Sequence, residues 1–498
     1  MTKLRYLPAV AALLTFAIHL IANPHYGFFR DELYFIVCGF RPDWGYVDQP
    51  PLVPLLTAGS QLFGTSLFLL RAVPALFAAG CVYLTCLLVI ELGGGTFAQV
   101  AAALLAALTP VLNAFGTKMS TDVPGLVFWP LIALLVARIA NGAGARLWIW
   151  VGVAFGLCAE AKYTVFFYLA GIIAGLALTA QRRILITPWF LAGIAAGAAI
   201  ALPSFLWQAA HGWPFLEMIA HQQNTEVVRH SPAGYVVQEI LITNPLLAAV
   251  WVFGLVYAFA RSELRWIGWT YVVLIAFMIA GDGRNYYPAD VYPLLIAAGA
   301  LGIERTAALN RFRTAIVAAI AVISMLTIPF VFPVMAEAQL AAAIATGQRM
   351  VSLHLQTARH DDAPITQIFA DMHGWPELTA TVARVYDALP PAQRAHAAIF
   401  ASNFGEAGAI DVYGKAYGLP PAISGHNNYW IWGPRGYDGS VLIEVNGICG
   451  PEFARQRIAV AHFYDRWAMP TENGLPISLC YGLKEPVPHY WATVKTFI

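Results

Sequence analysis

Residues 28–52 read FFRDELYFIVCGFRPDWGYVDQPPL, placing two adjacent acids, Asp31 and Glu32, just past the first apolar run of a chain that is poor in charge. Hydrophobic residues make up 59% of the 498 positions and charged residues 11%, against about 45–50% and 25% in soluble domains. The mean hydropathy of +0.63 agrees, and the apolar runs are long enough for a bilayer core that needs ~20 helical residues. The composition predicts a polytopic all-α membrane protein. A net charge of +1 with no basic tract excludes nucleic acid as a partner.

Outward from that stretch, apolar runs occur at about 6–22, 67–90, 97–115, 122–140, 147–160, 163–179, 184–207, 237–259, 266–280, 286–303 and 314–334. Hydrocarbon offers the backbone no water to bond, so runs of this length without alternation predict helices, eleven in all. The first follows Lys3 and Arg5, lacks a small-x-small cleavage site before His25, and reads as an uncleaved helix. Arginine repeats in alternate loops: Arg138 with Arg146, Arg182 with Arg183, Arg261 with Arg265, and Arg305 with Arg311 and Arg313. The positive-inside bias makes these loops and the N-terminus cytoplasmic. The acid-bearing first loop, 118–122, 160–162, 208–236 and 282–290 then share the opposite face with everything after about 335.

Residues 1–334 are therefore predicted as a transmembrane domain with a catalytic first loop at 23–66. Residues 335–498 regain charge, with a helical pattern at 376–389, strand-like runs at 397–401 and 441–445, and a helix over 406–417, predicting a small extracytoplasmic α/β domain. Cys38, Cys81, Cys86 and Cys158 read as small apolar fillers. Cys449 and Cys480 share the polar tail and pair if that face is oxidising.

Around the acids, Phe28, Phe29, Leu33, Tyr34 and Phe35 are expected to draw the segment to the membrane interface. Desolvation there raises a carboxylate's pKa and makes it a better general base. Neighbours on a helix diverge by ~100°, so one acid is expected to face the reacting groups while the other pairs with Arg30, Arg71 or a metal. The competing reading is a solvated loop pair. A second cluster, KMSTDVP at 118–124, offers Lys118 or Asp122 to the same cavity, with Ser120 or Thr121 capping the next helix. Lys162, beside Tyr163, either pairs locally with Glu160 or meets an anionic head group. Arg71 either snorkels or binds phosphate.

Arg284, Asn285, Tyr286 and Tyr287 suit a lipid-linked phosphate or a sugar, or else an aromatic belt. His211, His221 and His230 lack a metal-binding spacing and read as loop residues; the alternative is a divalent metal ion held by Glu32 or Asp48 with His221. The run SGHNNYWIWGP at 424–434 is either a packed loop or a lid facing acceptor or sugar.

Taken in order, DELYF at 31–35, Tyr46 with Pro50, Pro51 and Leu52, RAVP at 71–74, TDVP at 121–124, Lys162 with Tyr163, and RNYYP at 284–288 resemble the bacterial protein O-mannosyltransferase and aminoarabinose transferase group. These are polytopic glycosyltransferases of the GT-C fold, and the likeness covers about 1–330. It implies an extracytoplasmic cavity where a polyprenyl-phosphate-linked sugar meets its acceptor. It also implies Asp31 as the catalytic acid or base, Glu32 as donor-sugar or metal contact, and Asp122 as the second acid. Lys162, Arg71 and Arg284 would contact phosphate, with Tyr163, Tyr286 and Tyr287 in the substrate site. Gln49 stands where aminoarabinose transferases carry lysine and mannosyl relatives often carry histidine, which leaves the sugar open.

The implied reaction is inverting transfer of a monosaccharide to a lipid, glycan or protein acceptor at the outer face of a bacterial inner membrane, with no cofactor beyond the candidate metal. A transporter or flippase for a lipid-linked or anionic substrate is the alternative. That class calls for ionisable residues near the bilayer midplane or at broken helices of paired repeats, whereas the strong charges here gather at one face.

Overall fold

The computed structural model describes residues 6–225, 228–350, 363–447 and 449–498; Lys3 and Arg5 lie outside the described residues. Up to Ser324 the helices are α1 (Leu7–Ala22), α2 (Arg30–Gly39), α3 (Leu52–Ser60), α4 (Leu67–Glu91), α5 (Thr96–Ala107), α6 (Pro110–Thr117), α7 (Gly125–Ala140), α8 (Leu147–Ala159), α9 (Val165–Ala177), α10 (Pro188–Ala210), α11 (Pro214–Thr225), α12 (Pro232–Ile242), α13 (Pro245–Ala260), α14 (Arg265–Ala280), α15 (Tyr292–Arg305) and α16 (Arg313–Ser324). All eleven apolar runs are helical. Three helical segments, α4, α10 and 313–330, are long and apolar enough to cross a bilayer, five if each of two bent pairs counts as one span. With the shorter apolar α1, α7, α8, α9 and α14 beside them, the chain is a multi-pass membrane protein.

Two runs expected as single helices are broken. The run at 97–115 bends by 59° between α5 and α6, and that at 237–259 by 115° between α12 and α13. Each second helix begins with proline, which suits a first turn but breaks the preceding hydrogen-bond ladder. Asn244 makes the sharper corner, with φ at +71° and its side chain accepting from Leu246 N at 3.0 Å. The expected loop at 208–236 holds α11 and the start of α12.

Helix packing explains the glycine spacing. A Cβ on Gly152 would lie 1.9 Å from the Gly193 carbonyl oxygen, and one on Gly193 2.2 Å from that of Trp148, so α8 and α10 touch backbone to backbone as small residues allow. The run at 286–303 becomes α-helical only at Tyr292, and every residue from Tyr292 to Ile303 is buried. A helix apolar on all sides belongs inside a bundle, and α15 is that central post against α13, α5 and α4.

The tail carries α17 (Glu337–Met350), α18 (Gln367–Ala370), α19 (Trp375–Asp387), α20 (Pro391–Arg394), α21 (Phe404–Tyr413), α22 (Asn428–Trp432) and α23 (Val487–Thr493), with strands β1 (Ala397–Ala401), β2 (Val441–Val445), β3 (Ala454–Phe463) and β4 (Leu475–Leu483). The four-stranded sheet runs β1-β2-β4-β3, parallel between β1 and β2 and antiparallel elsewhere. A parallel pair needs a crossover, and α21 lies in the one that joins β1 to β2. Asn403 caps α21, its side chain accepting from Gly405 N at 2.8 Å and Glu406 N at 3.0 Å. Cys449 and Cys480 form a disulfide.

The tail also covers α2. Leu33, Tyr34, Phe35, Ile36 and Cys38 are buried, with α3 and α21 packed against the helix. Gly408 permits the close approach of α21, since a Cβ there would meet Leu33 at 3.1 Å. The expected placement of these aromatics in the membrane interface is thus corrected: the Tyr34 ring lies 4.8 Å from that of Phe404, because the tail supplies the apolar surface that lipid was expected to supply.

Candidate active site

The first turn of α2 separates the two acids. Glu32 turns inward and accepts from Phe29 N at 2.8 Å, Met119 N at 2.9 Å, Arg71 Nε at 3.2 Å and Arg71 Nη2 at 3.0 Å. Arg71 also donates through Nη1 to the carbonyls of Asn23 at 2.6 Å and His25 at 3.1 Å, and through Nη2 to that of Gly27 at 2.6 Å. A guanidinium has five N–H donors, and these contacts occupy all of them. Both side chains are 0% exposed. Arg71 therefore has nothing left for phosphate, and Glu32 nothing for a sugar or metal. The expected substrate roles of both are corrected: together they pin the loop at 23–27 and the start of α2 to α4.

Asp31, one residue earlier, faces outward. Its side chain is 31% exposed and meets Arg30 Nε at 3.4 Å. It is more open than its aromatic neighbours led one to expect. Around it stand Lys118, whose Nζ lies 4.3 Å from the Phe29 ring centroid, and Asp371 of the tail, whose carbonyl accepts from Arg30 N at 3.0 Å. Burial pushes the Asp371 carboxyl up to about 7, with Arg30 pulling it down and Asp31 pushing it further up. Burial likewise lowers the Lys118 pKa, while the charges of Asp31, Asp122 and Glu32 oppose that shift. Among the described residues no carboxylate is within ion-pair distance of Lys118. Asp371 went unseen in the sequence because nothing in its neighbourhood suggests contact with a loop some 340 positions earlier.

Lys162 does not pair with its neighbour Glu160, which accepts instead from Ser204 Oγ at 2.9 Å. It reaches Asp122, Nζ to Oδ1 at 2.5 Å, with side-chain exposures of 18% and 10%. Its ammonium also faces the rings of Tyr287 at 4.3 Å and Tyr286 at 5.3 Å. Burial disfavours the charged lysine, but Asp122 and the two tyrosines outweigh it and raise its pKa. Arg284 Nη1 donates to Tyr286 Oη at 3.4 Å. Asp290 is buried against the start of α7, where a Cβ on Gly125 would fall 1.9 Å from its Oδ2. Tyr163 stands edge-on to Phe215 at 4.7 Å. The structure thus joins Asp122, Lys162, Tyr286 and Tyr287. Neither Ser120 nor Thr121 caps α7, which follows Pro124 without a side-chain cap.

The candidate metal ligands do not converge. Glu32 is saturated, Asp48 accepts from Tyr34 Oη at 2.9 Å, and His221 is exposed on α11. Among the described residues, the three-residue grouping at ligand spacing is Glu444 with Cys449 and Cys480, and those cysteines are bonded to each other. The run at 424–434 is packed, a turn leading into α22: Ser424, Asn427, Asn428 and Tyr429 are buried, and Asn428 Oδ1 accepts from Val47 N at 2.6 Å. Two surface clefts of about 520 and 700 Å³ are lined by none of Asp31, Lys118, Asp122 or Lys162.

Residues 48–207 match the dolichyl-phosphate-mannose-protein mannosyltransferase family. That segment includes Arg71, Asp122 and Lys162 and begins after Asp31. No curated protein matches the chain significantly. Among solved structures, ArnT from Cupriavidus metallidurans in the apo state superposes with a TM-score of 0.61 at 13% identity, covering 95% of this chain and 97% of that one. The same protein bound to undecaprenyl phosphate gives 0.56 at 12% identity over 95% and 97%. The Archaeoglobus fulgidus oligosaccharyltransferase in complex with Zn and sulfate gives 0.52 at 12% identity over 88% and 67%. The chain thus has the GT-C fold of these solved proteins, and the family match is confined to residues 48–207.

Proposed function

We propose that the protein moves a monosaccharide from a polyprenyl-phosphate donor to a lipid, glycan or protein acceptor, with inversion, at the outer face of the inner membrane. The observation that carries this reading is Asp31, an open carboxylate at the start of α2 within the electrostatic reach of half-buried Lys118. Its neighbour Glu32 is fully consumed by Arg71. The binding of undecaprenyl phosphate by the ArnT of similar fold supports the donor class.

Asp31 takes the proton of the acceptor hydroxyl as that oxygen attacks the anomeric carbon from the face opposite the phosphate. The bond from carbon to phosphate oxygen breaks, and its electron pair leaves with the polyprenyl phosphate. Lys162 and Lys118 balance that anion, so it departs unprotonated. Asp122 and the Tyr286 and Tyr287 rings keep Lys162 charged and aimed, and Arg284 approaches from the far side of Tyr286. Because Asp31 is partly exposed, the bound donor and acceptor must themselves exclude water from it. The domain division at about residue 334, with the tail extracytoplasmic, belongs to the same proposal. It is supported by the disulfide, which suits an oxidising compartment.

The test incubates purified protein with polyprenyl-phosphate sugars and a membrane lipid extract and identifies the glycosylated product by mass spectrometry. Asp31→Asn is expected to abolish product while unfolding at the wild-type temperature. Wild-type turnover in that variant removes Asp31 from the mechanism.

A further inference from the structure

The cleft of about 520 Å³ lies between the α10–α11 corner and the tail, lined by His211, Glu217, Trp430, Trp491, Lys495 and Phe497 among others. Two of its lining residues are tied to each other. Trp430 Nε1 donates to the Trp491 carbonyl at 2.9 Å, and Trp491 Nε1 donates back to the Trp430 carbonyl at 3.0 Å. Both indole N–H groups are thereby spent on holding the rings in place; Trp491 is buried, and Trp430 keeps part of its ring open to the cleft. Lys495 Nζ lies 4.4 Å from the Phe497 ring centroid and bonds Glu217 Oε2 at 2.7 Å, bridging tail and body. The Glu217 side chain is 54% exposed, and His211 is exposed at the rim.

From this geometry we infer that the cleft binds a saccharide, the glycan part of the acceptor, away from the reacting carbon. A sugar ring presents C–H edges of positive character to aromatic faces and hydroxyls to charged partners. The partly open Trp430 ring, beside a carboxylate, an ammonium and an imidazole, meets both needs. The volume falls within the ~300–1,000 Å³ of small-ligand sites. The cleft also adjoins the proposed chemistry: Phe497 packs with Val47, beside Asp48, and Phe215 of α11 meets both this apolar cluster and the Tyr163 ring. An acceptor held here would extend toward Lys162. The glycan's being the acceptor's rests on the proposed transferase function; its binding does not.

Full-length protein in lipid nanodiscs, with no donor present, is applied to an array of bacterial mono- and oligosaccharides. Retained sugars are then titrated by intrinsic tryptophan fluorescence. The expected result is a retained saccharide whose Kd rises about tenfold in Glu217→Gln, the scale of losing one charge-assisted hydrogen bond, with an unchanged unfolding midpoint. An array that retains nothing on wild-type protein, or equal affinity in Glu217→Gln and in a Glu217→Ala/Lys495→Ala double variant, overturns the inference. Failure of the transferase reading is seen separately, as absence of product with donor or as full turnover in Asp31→Asn.

Discussion

Two charged clusters lie side by side at the loop end of the helix bundle, and they differ in how much of their bonding capacity is used. In the Glu32–Arg71 cluster every guanidinium N–H has an acceptor and both side chains are sealed from solvent. Around Asp31, Lys118, Asp122 and Lys162, one acid is a third exposed and one lysine has no carboxylate partner among the described residues. Saturation marks a group that holds the fold. Unspent capacity at a buried, charged place marks a group waiting for something else, because leaving it unspent costs stability.

The sharpest way to break this contrast is Arg71→Met, which strands the Glu32 carboxylate in a sealed site. The expected cost is about 3–5 kcal/mol, read as loss of folded protein and a collapsed thermal midpoint. A variant that folds normally would show that the cluster carries no structural weight. Next in size is Asp31→Asn, expected to lower kcat by roughly 10²–10⁴-fold, the usual worth of a general base, with the midpoint unmoved. Lys118→Met should then raise the donor KM by roughly ten- to a hundredfold, the scale of one hydrogen bond to a charged group. It should leave stability equal or slightly higher, since a half-buried ammonium with no carboxylate at ion-pair distance among the described residues is removed. An unchanged KM would assign the phosphate to Lys162 alone.

A separate effect concerns pH. Burial pushes the Asp48 carboxyl up from 3.8 to about 7, against the bond from Tyr34. The unfolded chain therefore loses this proton near pH ~4 while the folded chain keeps it to about 7. Stability falls with rising pH across that window and levels off above it. Asp48→Asn removes this dependence. Its midpoint should exceed that of the wild type most at pH above 7, with the gap closing toward pH 4; a gap constant across that range would mean Asp48 titrates normally.

Much of the site was legible residue by residue. The pairing of one α2 acid with Arg71 was among the expected arrangements, and Asp122, Lys162, Tyr286 and Tyr287 were each marked as facing one side. That Lys162 chooses Asp122 over Glu160 was not legible, since the preference depends on the turn after α8 meeting the turn before α7. Arg71 as a phosphate ligand failed for a related reason: an interfacial arginine is ambiguous until its donors can be counted. In the tail, β1 and β2 have the bounds their apolar runs predict. Of the other two strands, β3 escaped notice because it is exposed along most of its length and so shows no apolar alternation.

Hydropathy alone establishes that this is a many-helix membrane chain, because the transfer of apolar side chains between water and lipid is a local, additive property. Which carboxylate is spent and which is open comes from contacts tens of positions apart, and the fold-back of the tail over α2 that brings Asp371 to Asp31 from contacts hundreds of positions apart. Hydrogen-bond saturation is a property of the neighbours a group finally meets, and those are set when the chain packs.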